Sequence, residues 1–198
     1  MKVFQYLLFC VVLLVSTSCV DNNLNTNHYL LSPDESLSFT LHGDQENISY
    51  SLKKDGNTLI NQSQLGILAD QFEIAQDIHI KNVTRSIKNK TWTQVWGEQK
   101  QIVDHHNELA IHVTANSNNI QMIIRFRLFN DGLGFRYEIP EQIELNEFKI
   151  LDELTEFNFA EDATSWWIPA YSYRRFEFLY ANTVISEISR DTYSKLVE

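Results

Sequence analysis

Arg125-Phe126-Arg127-Leu128-Phe129-Asn130-Asp131-Gly132-Leu133-Gly134-Phe135-Arg136-Tyr137-Glu138 is the stretch that decides how this chain folds. Apolar residues stand at every second place on both sides of Asn130-Asp131-Gly132. Upstream, Ile120, Met122, Ile124, Phe126 and Leu128 share one face, and Gln121, Arg125 and Arg127 share the other. Downstream, Phe135, Tyr137 and Ile139 face one way, with Arg136 and Glu138 opposite. A period of two marks a half-buried strand. Asn-Asp-Gly between two such runs is a tight turn. Two amphipathic antiparallel strands follow.

The same pattern recurs outward from this hairpin. After a turn at Ser32-Pro33-Asp34, Leu37, Phe39 and Leu41 alternate with Ser36, Ser38 and Thr40. Ile48, Tyr50 and Leu52 repeat it. Lys54-Asp55-Gly56-Asn57 is a hairpin turn leading to Thr58-Leu59-Ile60. Short strands are predicted near Leu65-Gly66-Ile67 and over Ile78 to Val83, and another where Leu109, Ile111 and Val113 alternate with polar neighbours. Many short strands separated by turns argue an all-β fold, an antiparallel β-sandwich with the alternating apolar residues between its sheets. The only helix predicted lies at Asp191 to Val197.

Composition narrows the function classes. The 198 residues carry a net charge of −10. Nucleic acid requires a basic footprint, so it is excluded as a partner. Lys2, the apolar run Tyr6 to Val15 and the small residues Ser16-Thr17-Ser18 read as a secretory signal over 1–18. The small residues end at Cys19, which resembles a bacterial lipoprotein signal with Cys19 as the lipidated residue. Ser16 stands where Leu is usual, and an ordinary cleaved signal is the alternative. Of the two cysteines, Cys10 lies in the signal, so the mature chain can form no internal disulfide. Residues 19–31 read as a polar tether and 32–198 as the sandwich. The expected location is the periplasm or the outer membrane, held by a lipid anchor alone. Asn-x-Ser/Thr triplets at Asn47, Asn61, Asn82 and Asn89 read as chance in such a setting.

An ordered set of short motifs carries a resemblance. It begins at Ser32-Pro33 and continues through Leu65-Gly66-Ile67, Thr91-Trp92, Trp96-Gly97-Glu98 and Asn107-Glu108-Leu109. The Arg125 to Tyr137 block follows, then Glu153-Leu154-Thr155-Glu156-Phe157, Trp167-Ile168-Pro169 and Phe176-Glu177-Phe178-Leu179-Tyr180. In this order they resemble the N-terminal β-sandwich (super-sandwich type) of glycoside hydrolase family 97, the calcium-dependent α-glucosidase and α-galactosidase family. The resemblance implies a catalytic barrel after this domain, and the chain stops before one. The sandwich is accordingly expected to be incomplete at its C-terminus.

Glycoside hydrolysis needs two carboxyl groups across the scissile bond. Glu98, Glu108, Glu138, Glu153, Glu156 and Glu177 are available, but the resemblance puts acid and base on the barrel, so no catalytic residue is assigned. It also implies that an acidic residue of this domain helps bind calcium, which places that ligand on Glu177. The alternative is a solvent-facing strand residue between Phe176 and Phe178. Trp167 and Tyr171 are chosen from the local aromatic run as rim residues for an oligosaccharide or α-glycoside; core packing is the alternative. Trp96 reads as core or interface and His105-His106 as loop. Two functional readings result. One is the pocket wall of a family 97 α-glucosidase-like enzyme, inactive without its barrel. The other is a stand-alone carbohydrate-binding or scaffold lipoprotein.

Overall fold

A computed structural model of the chain describes residues 26–43, 47–76, 78–115, 119–169, 177–189 and 191–193. The signal segment 1–18, Cys19 and Tyr171 lie outside them.

The strands are β1 (Thr26–Leu31), β2 (Leu37–Gly43), β3 (Ile48–Lys54), β4 (Asn57–Gln64), β5 (Ile67–Ala69), β6 (Glu73–Ile74) and β7 (Ile78–Thr93). They continue with β8 (Gln101–Ala115), β9 (Gln121–Leu128), β10 (Leu133–Glu138), β11 (Ile150–Glu153), β12 (Thr164–Trp167) and β13 (Ala181–Val184). Two antiparallel four-stranded sheets form, in the orders β1-β2-β3-β4 and β10-β9-β8-β7. A smaller β11-β5-β6 sheet and a β12-β13 pair complete the set. The fold is the expected all-β sandwich.

The alternation seen in the sequence is the alternation seen in burial. Every second residue of β2 from Leu37 to Gly43 is buried, as are Met122, Ile124, Phe126 and Leu128 of β9. Phe39 of the first sheet meets Phe126 of the second with ring centroids 4.6 Å apart. Phe135, Tyr50 and Phe157 extend this contact into an aromatic cluster. Burying one such side chain fully contributes about 1.5–3 kcal/mol, so the sheets are held mainly by this shared layer. Tyr50 is fully buried, and its hydroxyl donates to the Glu156 carbonyl at 2.9 Å. Burial, helped by nearby Tyr137, pushes its phenol up to about 12.

Turns follow the chemistry of their residues. Asp55 and Gly56 both take positive φ, 49° and 83°, the backbone that a two-residue hairpin needs. Gly66 meets a close approach instead. A Cβ there would stand 2.7 Å from the Ala75 Cβ and 2.9 Å from the Ile74 carbonyl oxygen.

Four expectations are corrected. Residues 26–31 are not tether: they pair with β2 through six registers, from Thr26↔Gly43 to Leu31↔Ser38. Backbone bonding on an edge strand needs no apolar alternation, and Leu30 is the residue it buries. The strand predicted over Ile78 to Val83 runs on to Thr93. His105 and His106 lie within β8, not in a loop. Trp96, read as core or interface, is 88% exposed, so the core half of that reading falls. Residues 191–193 are helical, the described part of the predicted helix.

Candidate functional site

Of the predicted site residues, Trp167 and Glu177 lie among the described residues, both toward the C-terminus. β12 and β13 pair with Trp166 opposite Asn182 and Trp167 opposite Ala181. Neighbouring strand residues point to opposite faces, so Trp166 stands out at 71% exposure while Trp167 is half-buried. The Trp167 indole Nε1–H donates to Thr183 Oγ1 at 3.0 Å. Its ring lies 5.8 Å from that of Tyr193, which Phe178 meets edge-on at 6.4 Å. The Tyr193 hydroxyl donates to the Leu179 carbonyl at 3.3 Å. Trp167 is therefore fixed in a small aromatic cluster with its polar handle occupied. Trp166 is the neighbouring ring with an open face. The sequence contained this signal, since strand alternation separates the two tryptophans, but not which of them faces out.

Glu177 is exposed, and its carboxylate engages no described group. An anionic oxygen of this kind is the donor type that a hard cation such as calcium takes. Calcium takes six to eight oxygens. No group of three or more His, Cys, Asp or Glu that could hold a metal forms among the described residues. A single exposed carboxylate falls short of a calcium site by itself.

Glu108 and Glu138 belong to a charged network on the outer face of the second sheet. The register Glu108↔Arg127 places these side chains together, and Arg136↔Arg125 brings β10 in beside them. Arg125 donates from Nη1 to Glu108 Oε1 at 2.7 Å, and from Nε and Nη2 to Glu138 at 2.7 and 2.9 Å. Arg127 Nε donates to Glu108 Oε2 at 2.9 Å, and Arg136 Nε to Glu138 Oε1 at 2.7 Å. Hydrogen bonds from Arg125 and then Arg136 outweigh desolvation and hold the Glu138 carboxyl down to about 2. Burial alone would raise Glu108, but Arg127 and Arg125 overcome it and keep that carboxyl below its usual range. A catalytic acid needs the opposite shift. Tied to Arg125, Arg127 and Arg136, these two carboxylates brace the second sheet.

Glu156 braces β4, accepting from the Gln64 backbone N–H and from Asn158 Nδ2, both at 3.1 Å. It also lines an open concavity of about 650 Å³ on the outer face of the first sheet, with Asn27, His42, Ser49, Gln62 and Gln64. Gln62 Nε2 donates to Ser49 Oγ at 2.9 Å there. Glu98 is exposed in the bend between β7 and β8, and Glu153 is exposed on β11.

Comparison with known proteins supplies the rest. A family model described as glycosyl-hydrolase 97 N-terminal matches residues 30–196. Among solved structures, a variant of a glycoside hydrolase family 97 enzyme from Pseudoalteromonas sp. strain K8, in complex with panose, is 35% identical. That match covers 81% of this chain and 25% of that one, with a TM-score of 0.73. The enzyme in complex with acarbose is 35% identical with a TM-score of 0.72, over 79% of this chain and 24% of that one. A β-arabinopyranosidase at 21% identity shares the fold, with a TM-score of 0.65 over 70% of this chain and 22% of that one. The chain thus spans about a quarter of the length of the solved enzymes it matches.

Proposed function

We infer a function from one premise: this chain belongs to the glycosyl-hydrolase 97 N-terminal family, whose model matches it over residues 30–196. It is the N-terminal domain of a glycoside hydrolase. In our reading it forms one wall of a carbohydrate pocket whose catalytic carboxylates come from the remaining three quarters of such an enzyme. The match to a family 97 enzyme in complex with panose carries this reading. The expected activity of the whole protein is α-glucosidase-like removal of terminal sugars from oligosaccharides.

Within that reading each residue has a limited task. Glu177 offers one carboxylate to a shared calcium site, where bound calcium supplies a fixed positive charge beside the sugar. Trp166 offers an open apolar ring, and Trp167 sets the position of β12 against β13 through Thr183. Cys19, lipidated, would tether the protein at the membrane and hold the enzyme outside the inner membrane. A Cys19→Ser variant that stayed in the membrane fraction would count against that last point.

The test is direct. The purified 198-residue chain is incubated with panose in calcium and in chelator, and released glucose is measured. No release is expected in either, because the paired carboxylates lie elsewhere. Calcium-dependent release would overturn the assignment of this chain as a non-catalytic wall. Calorimetry on the whole enzyme checks Glu177 separately, with Glu177→Gln expected to weaken calcium binding at least tenfold.

A further inference from the structure

The β7–β8 hairpin outruns its sheet. β9 ends at Leu128, which pairs with Asn107. Beyond that point no third strand among the described residues lies beside the registers from Lys88↔His106 to Thr93↔Gln101. A two-stranded ribbon alone is marginal in water, yet this one carries a built tip. The Gln94 N–H donates to the Lys100 carbonyl at 3.1 Å, and the Gln94 side chain donates to the Gln99 carbonyl. Gly97 takes φ +139°, where a Cβ would also strike the Gln94 side chain at 2.5 Å.

What this tip holds outward is apolar. Val95 is 99% and Trp96 is 88% exposed, and Ile87, Trp92 and Val103 on the ribbon are at least half exposed. Val95 and Trp96 stand together at the tip, while strand alternation puts Ile87 and Val103 on one face of the ribbon and Trp92 on the other. Exposed apolar residues gathered on a projecting tip mark a contact site. Tryptophan is the residue type that most often anchors one.

The hydrogen bonds say which way the arm points. Asn107 Nδ2 donates to the Leu31 carbonyl at 2.8 Å, and the Asp34 N–H donates to Asn130 Oδ1 at 3.1 Å. The base of the arm therefore sits where β1 ends and β2 begins. Leu37 pairs with Lys54 there, so the start of β4 lies at the same end. The chain returns to that end along β4, with the Ala160 N–H on the Leu59 carbonyl at 3.0 Å. Asp162 then binds Ser186 just past β13, its Oδ2 accepting from Oγ at 2.6 Å. The arm and the β12–β13 pair thus leave the sandwich at one end. Trp166, Leu179 and Tyr180 are exposed there as well.

We propose that the β7–β8 ribbon is a docking arm that seats on the catalytic domain of the full-length glycoside hydrolase, with Trp96 as its anchor. The inference rests on the functional reading above. Solved relatives have about three quarters of their length outside the part this chain matches. Polypeptide following β13 starts at the end from which the arm projects, so that domain is the occupant whose position the fold favours over a second copy of this chain.

Hydrogen exchange by mass spectrometry tests the arm. Peptides covering residues 88–106 are compared in the 198-residue chain and in the full-length protein from the source gene. Exchange at least tenfold slower in the full-length protein is expected, with Trp96→Ala in that protein removing the protection while β2, β3 and β9 keep theirs. Equal exchange in the two proteins overturns the proposal. So does a Trp96-dependent dimer of the 198-residue chain in sedimentation, which would make a second copy the occupant. A gene with no domain after this one defeats the functional reading itself, whereas an unprotected arm beside a real catalytic domain defeats the arm alone.

Discussion

Arg125 grips Glu138 with a two-bond fork, Nε to Oε1 at 2.7 Å and Nη2 to Oε2 at 2.9 Å, and its third nitrogen reaches Glu108 at 2.7 Å. One guanidinium thereby joins three adjacent strands, β8, β9 and β10, on the face away from the core. Arg125→Met leaves Glu108 with Arg127 and Glu138 with Arg136, so the network is weakened rather than erased. A loss of about 2–3 kcal/mol in urea unfolding is expected. Glu138→Gln should cost less, about 1 kcal/mol, because that side chain is partly solvent-screened.

The same fork sets an acid limit. In the unfolded chain the Glu138 carboxyl titrates near 4.5, and in the fold it is held down to about 2. Between those values the unfolded state binds more protons, so stability rises with pH across that window. The contribution is complete above 4.5 and lost as pH falls through 2. Glu108, also lowered, adds to it with the same sign. Thermal unfolding from pH 5 to pH 2 should show this decline, and Glu138→Gln should flatten it.

Gly66→Ala probes the approach of β6. The added methyl would meet Ala75 Cβ at 2.7 Å and the Ile74 carbonyl oxygen at 2.9 Å, and neither belongs to a flexible side chain. The backbone must shift, and Gly66 is also tied through its N–H to the Tyr137 hydroxyl at 2.9 Å. The expected cost is about 1–3 kcal/mol, read as a lower urea midpoint with an unchanged slope.

Phe39→Ala probes the layer between the sheets. Phe39 is fully buried and touches Tyr50 and Phe126. The void should cost about 3–5 kcal/mol. Tyr50→Phe, which keeps the ring and drops the bond to the Glu156 carbonyl, should cost only about 1–2 kcal/mol. Equal losses for the two variants would contradict a core held by ring packing.

Legibility followed burial. Where one strand face is buried, as in β2, β3 and β9, or half-buried, as in β10, the period of two was written in Phe39, Tyr50, Phe126 and Phe135 and gave the right strands. Where a strand is held mainly by backbone bonding, no such pattern exists. Thr26, Asn27 and His28 open the first strand with polar residues and it reads as tether, and residues 88–93 are exposed throughout. His106 shows the cost of reading polarity as loop. It is fully buried on β8, with Nδ1 bonded to Asp104 at 2.6 Å and its ring 4.8 Å from Phe129. For the candidate site, a lone exposed Glu177 carries no chemical pattern of its own. The family resemblance singled it out, and spacing could not.

Reading the source DNA past the codon for Glu198 tests the central claim most directly. The account predicts an open frame continuing for roughly three times the length already seen, as the quarter coverage of solved relatives implies. It should encode a barrel with further glutamates. An immediate stop codon, with a stable product of this size in cells, would contradict the assignment of this chain as one domain of a larger hydrolase.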